Sequence, residues 1–151
     1  MNAKLLKFGM NIWPPFLGAG IKVHNISADY KSASVSLKMS FLNTNVSGVH
    51  FGGSLFAMTD PFFMIMVQHN LGKDYIVWDR AAKIDFIKPG KGRVKASFDI
   101  AHDQIEEIKL SAEAGEKVFK DFTVEVKNQL GEVVASIVKT LYIRKKRPDN
   151  N

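Results

Sequence analysis

The stretch from about residue 53 to residue 71 constrains this chain most. It carries Leu55, Phe56, Met58, Phe62, Phe63, Ile65, Met66 and Val67, apolar on nearly every side of a helix. Such a helix has no polar face to give to water and must be wrapped by protein all round. It is not a membrane span: the longest unbroken apolar run, residues 61–67, falls far short of the roughly 20 residues a bilayer requires. The first twenty residues mimic a secretory signal, with early lysines and then apolar residues. Asn11, Pro14 and Pro15 interrupt that run, and no clean cleavage site follows. The reading is a soluble, cytoplasmic protein.

What wraps the helix is legible on either side of it. Val35, Leu37, Met39 and Phe41 alternate with polar residues, as do Val94, Ala96, Phe98 and Ile100, and Phe122, Val124 and Val126. A period of two marks strands with one buried and one wet face, as in antiparallel sheets. Less regular strands are expected at 21–27, 76–87 and 133–143. Residues 88–92 and 128–131 read as hairpin turns. Residues 103–114 place Ile105, Ile108 and Ala112 on one helical stripe, with Asp103, Glu106 and Glu107 early, where the helix dipole favours acids. A short helix before Pro14 is also expected. The order is therefore two strands, a buried helix, two strands, a short helix and two strands. An α+β hotdog fold satisfies it: a curled antiparallel sheet of about six strands around one long buried helix. At 151 residues the chain is a single domain, with its core at about 20–143 and a basic tail at 144–151.

Composition narrows the chemistry. There is no cysteine, so no thiolate nucleophile and no disulfide, and the four histidines are scattered, so no metal site is expected. The net charge of +6 suits a polyanionic or phosphorylated partner. No basic recognition helix or stacking-aromatic motif accompanies it, so nucleic acid is not expected. The densest candidate cluster runs from Asn45 to Ser54 and on to Asp60. Gly52 and Gly53 stand at the start of the buried helix, where glycine permits close approach and free N–H groups attract an oxyanion. Asp60 lies two helical turns after Gly53 on roughly the same face, the only charged residue between His50 and His69. Two readings of it stand side by side. An Asp followed by Pro61 is a common helix start, so Asp60 serves as a cap where the helix breaks. Alternatively, a kink at Pro61 aims a functional carboxylate.

The pattern Asn45-x-x-Gly48-x-x-Phe51-Gly52-Gly53, then six residues, then Asp60, resembles the hotdog acyl-CoA thioesterases, above all the phenylacetyl-CoA thioesterase branch. The downstream segment at 82–90, ending in Pro89-Gly90, looks like that family's strand and Pro turn. The helix at 103–114 is similar to an uncharacterised branch of tetrameric acyl-CoA thioesterases. The resemblance covers about residues 20–143. One position departs: the motif His is replaced by Phe51, and His50 stands one residue early, on the opposite side of an extended chain. The resemblance implies hydrolysis of an acyl-CoA, with coenzyme A as part of the substrate and no other cofactor. It also implies that Gly53 N–H polarises the thioester carbonyl, that Asp60, reached from a neighbouring subunit in the family, activates water or attacks directly, and that Asn45 orients the water or the substrate.

Around these catalytic candidates, Gly52, Phe51, His50, Ser54, Phe56, Thr59, Lys88 and Arg93 are the candidate substrate contacts. Ser54 serves equally as a cap, Thr59 as a hydroxyl bonded back to its own helix, and Lys88 and Arg93 as solvated charges. Trp78-Asp79-Arg80 reads as an Asp79–Arg80 pair or an interface contact. A sheet carrying one helix leaves an edge to cover, so a homodimer or homotetramer is expected. Two other functions are carried forward: a non-catalytic hotdog protein that binds acyl-CoA or lipid, and a hotdog dehydratase or hydratase of lipid metabolism.

Overall fold

A computed structural model describes residues 2–146. Two helices open the chain, α1 (Ala3–Ile12) and α2 (Pro14–Ala19), followed by β1 (Ile21–Ile26) and β2 (Ser32–Lys38). The central helical segment is α3 (Gly52–Ala57) and α4 (Phe62–Leu71). Then come β3 (Tyr75–Phe86), β4 (Arg93–Asp99), α5 (His102–Ala112), β5 (Val118–Lys127) and β6 (Val133–Lys145). The six strands form one sheet in the order β1-β2-β4-β5-β6-β3, every pairing antiparallel.

Most elements fall where their periodicity places them. The alternation of β2 ends at Lys38, short of Met39 and Phe41; the chain turns there, Met39 N–H donates to the Gly92 carbonyl, and Phe41 stands in solvent. The turn at 128–131 is a hairpin between neighbours β5 and β6, with Gly131 at positive φ. The turn at 88–92 is not a hairpin. It carries the chain from β3, at one edge, to β4 between β2 and β5. The basic stretch is partly strand: β6 runs through Lys145, Arg144 Nε donates to the Gly115 carbonyl, and Lys145 pairs with Glu113. The remainder of that tail lies outside the described residues.

The buried helix is built in two segments. Pro61 has no N–H to donate, and the ladder is interrupted between Ala57 and Phe62. Within α4, Phe62, Phe63, Met66 and Val67 are buried against the sheet. Only two register pairs join β4 to β5. Phe63 fills this seam, edge-on to Phe98 of β4 at 5.2 Å and stacked on Phe122 of β5 at 4.9 Å. Phe62 stacks on Phe98 at 4.5 Å. One sheet edge is covered: the Asn11 side chain of α1 accepts from Val23 N–H and donates to the Val23 carbonyl, at 2.9 and 3.0 Å. The opposite edge is β3, with no strand beyond it.

Candidate active site

The loop from β2 to α3 is closed by its own polar groups. Asn45 Oδ1 accepts from Ser47 and Val49 N–H, and Asn45 N–H donates to the Val49 carbonyl. The side-chain oxygen of Asn45 is thus committed to holding a turn, the familiar use of Asn in a loop. His50 ties the loop to the 88–92 turn. Its N–H donates to the Gly90 carbonyl at 2.9 Å, and its ring Nε2 lies 2.9 Å from the Gly92 carbonyl. A carbonyl only accepts, so Nε2 carries the proton. Nδ1 is then a buried acceptor with no hydrogen-bond partner. Burial holds the imidazole pKa below its ordinary value, outweighing the carbonyl contact.

Helix α3 starts at two glycines, each covered by an aromatic ring. A Cβ on Gly52 would stand 2.9 Å from Phe86 Cζ, and one on Gly53 only 2.3 Å from Phe51 Cε1. Phe51, at the N-cap, is 56% exposed and folds its ring back over Gly53. Ser54 and Leu55 N–H both donate to the Phe51 carbonyl, so the N–H groups of Gly52 and Gly53 stand ahead of the ladder. Beside them is a groove of about 410 Å³, lined by Asn45, His50, Gly52, Phe86, Lys88 and Pro89 among others.

The junction between α3 and α4 does not use Asp60 as a side-chain cap. The residue at the N-cap of α4 is Pro61, with no side-chain cap bond. Asp60 instead reaches across to β6, where its Oδ1 lies 2.5 Å from Lys139 Nζ. Lys139 is 3% exposed, and its ammonium also meets Asp79 Oδ1 at 3.2 Å and stands 5.4 Å from the centre of the Phe56 ring. Burial pushes the Asp79 carboxyl pKa up, with Lys139 opposing and Asp60 reinforcing the shift. The partner of Asp79 is thus Lys139, not Arg80. Thr59 is fully buried and its hydroxyl donates to the Phe56 carbonyl at 2.8 Å, back to its own helix. Ser54 is buried inside α3 and caps nothing.

Six of the candidates fall into two groups, and Gly53 lines neither. Asn45, His50, Gly52 and Lys88 line the groove, while Asp60 and Phe56 gather around Lys139. Lys88 is half-exposed and paired with Glu132 at 2.6 Å. Arg93 opens β4, in register with Lys38. Among the described residues no group of three His, Cys, Asp or Glu is placed to hold a metal ion. No described helix is long and apolar enough to cross a membrane.

Lys139 is absent from the sequence-based candidates, and Asp79 enters the sequence reading only as a partner of Arg80 or an interface contact, though a signal was present for both. Ile137, Leu141 and Ile143 form the inward row of β6, and Lys139 occupies a position in that row. Tyr75 and Val77 are the inward residues of β3, and Asp79 comes next, just before a bulge at Arg80. A charge on the buried parity of a strand is the cue.

A family model described as a domain of unknown function, DUF4442, matches residues 2–143. The chain belongs to the DUF4442 family. No curated protein matches it. The DUF4442 chain is similar to several solved structures. A Pseudomonas aeruginosa protein of unknown function, PA5026, described as a probable thioesterase, superposes with a TM-score of 0.81 at 16% identity, over 94% of this chain and 95% of that one. The Haemophilus influenzae thioesterase HI1161 does so at 0.69 and 10% identity, over 100% of this chain and 96% of that one. The Escherichia coli PaaI protein, from the phenylacetic acid degradation operon, gives 0.62 at 18% identity, over 91% of this chain and 87% of that one. These likenesses establish the hotdog fold, and the neighbours are of the kind that the Gly-Gly and Asp60 spacing resembles.

Proposed function

We propose that this DUF4442 protein hydrolyses an acyl-CoA thioester. The observation that carries the reading is Asp60: a carboxylate at the break of the buried helix that does not cap it and is held in place from the sheet. A cap would account for its position; a carboxylate drawn away from the helix end calls for another role. In the proposed reaction water adds to the thioester carbonyl carbon as Asp60 takes its proton. The carbonyl oxygen, now an oxyanion, is met by the N–H groups ahead of the α3 ladder, chiefly Gly53. The C–S bond then breaks, the thiolate receives a proton, and a carboxylic acid and coenzyme A leave. Asn45 contributes by holding the loop that walls the groove, and Lys88 offers a cation to the phosphates of coenzyme A.

The separation of the groove from Asp60 supports a site shared between two copies of the chain, Gly53 from one and Asp60 from the other. The unpaired β3 edge, with Trp78 and Phe86 exposed along it, is the surface that fits a second copy. A cytoplasmic location is part of this reading. One observation favours a second function: the Phe51 ring packs on the face of Gly53 from which a Cβ would project, so a substrate approaching that face meets the ring first. A protein that binds acyl-CoA without hydrolysing it would tolerate such a cover.

The deciding experiment is steady-state hydrolysis of an acyl-CoA panel, acetyl through long-chain and aryl, for wild type and Asp60→Asn. Loss of a positioned base is expected to lower turnover about a hundred- to ten-thousandfold. Equal rates for the two proteins sink the mechanism. Tight acyl-CoA binding with no turnover in the wild type selects the binding protein.

A further inference from the structure

Lys139 is placed where a lysine is costly. Its strand neighbours Ile137 and Leu141 are fully buried, and its backbone is laddered on both sides, to Phe122 of β5 and Ala82 of β3. An apolar residue of similar size would serve the core at least as well, since desolvating a charge offsets much of what its ion pairs return. What lysine supplies is a fixed ammonium. The stem is immobilised by two ladders and the core, and Nζ presents donors to Asp60 Oδ1 at 2.5 Å and Asp79 Oδ1 at 3.2 Å, with the Phe56 ring as a third wall.

Asp60 has no comparable support of its own. It sits on the irregular turn between two helices, its side chain 42% exposed. A carboxylate so placed swings freely unless something outside the turn aims it, and catalysis falls steeply with small misplacements. Lys139 engages the Asp60 carboxylate through Oδ1. The charges that meet here are Asp60 from the helix junction, Asp79 from β3 and Lys139 from β6, with Phe56 of α3 closing the apolar side. With the ammonium removed, nothing opposes the burial that pushes the Asp79 carboxyl up, and Asp79 keeps its proton to higher pH.

We propose that Lys139 is the positioning residue for Asp60, with Asp79 as the second anchor that holds the ammonium in place. This rests on the thioesterase reading above. The test is the pH dependence of kcat and KM for acyl-CoA hydrolysis in wild type, Lys139→Met, Lys139→Arg, Asp79→Asn and the Lys139→Met/Asp79→Asn pair, each checked for folding by thermal melt. Lys139→Met is expected to lose about a hundredfold in kcat with KM little changed, and its acidic limb should move to higher pH. The double variant should return that limb towards the wild-type position without restoring kcat. Lys139→Arg, which keeps the charge, should retain more kcat than Lys139→Met. A lysine that merely fills the core would lower the melting temperature and leave both kcat and the limb of the folded enzyme unmoved, and that result overturns the proposal. If Lys139→Met does not fold, Asp79→Asn decides: a fall in kcat at constant KM supports the anchor, and unchanged kcat overturns it. Absence of turnover in the wild type would instead defeat the thioesterase reading and the positioning role together. Full turnover in Lys139→Met would defeat the role alone.

Discussion

Acid should loosen this protein at His50. The imidazole is 2% exposed, Nε2–H is held by the Gly92 carbonyl, and Nδ1 faces no partner. A second proton must therefore enter a buried position with nothing to accept its hydrogen bond. Burial depresses the pKa in the folded chain, whereas the unfolded chain titrates near the ordinary value of 6.5. The unfolded state therefore binds more protons below that value. The stabilisation is complete above about pH 6.5 and is lost as the pH falls from there towards the folded-state pKa. One proton bounds the slope at about 1.4 kcal/mol per pH unit. For a domain of this size that is roughly 3–6 °C in Tm per unit at full slope. The assay is Tm against pH from 7.5 to 5 for wild type and His50→Gln. His24 and His69, also held down by burial, are present in both proteins and cancel in the difference. The difference should be flat above neutrality and fall below pH 6.5. Nitrogen-resolved NMR of the His50 ring should show the proton on Nε2 alone. A flat difference down to pH 5, or a proton on Nδ1 at neutral pH, would refute the reasoning.

Other perturbations test the frame. Phe62→Ala removes a ring stacked on Phe98 and fully enclosed by the core. It should cost about 3–5 kcal/mol, read as a fall in the urea midpoint at constant slope. Asn45→Ala frees two loop N–H groups and should cost about 1 kcal/mol. Amide exchange should rise across residues 45–50 while the strands stay protected.

Much of this molecule was legible as pattern. An all-round apolar helix and period-two strands belong to local sequence, because burial on one or both faces leaves a periodic mark. Strand order does not. The turn at 88–92 has hairpin chemistry, yet it joins strands that do not pair, because β3 finds its partner in β6, far along the chain. Asp60 shows the same limit within one residue. Its neighbour Pro61 makes a cap and a functional carboxylate equally compatible with the sequence, and nothing local foretells the partner it meets, the Lys139 ammonium 79 positions away.

The sequence by itself determined the helix that must be enclosed, the strands that enclose it, and the Gly-Gly and Asp60 spacing. Tertiary structure alone decided what those groups meet. It set Phe51 over Gly53, locked His50 to the 88–92 turn, and brought Asp79 and Lys139 to Asp60. The physical reason is that periodicity reports which face a residue takes. Charge partners are chosen by strand pairing across the sheet, which no local window records.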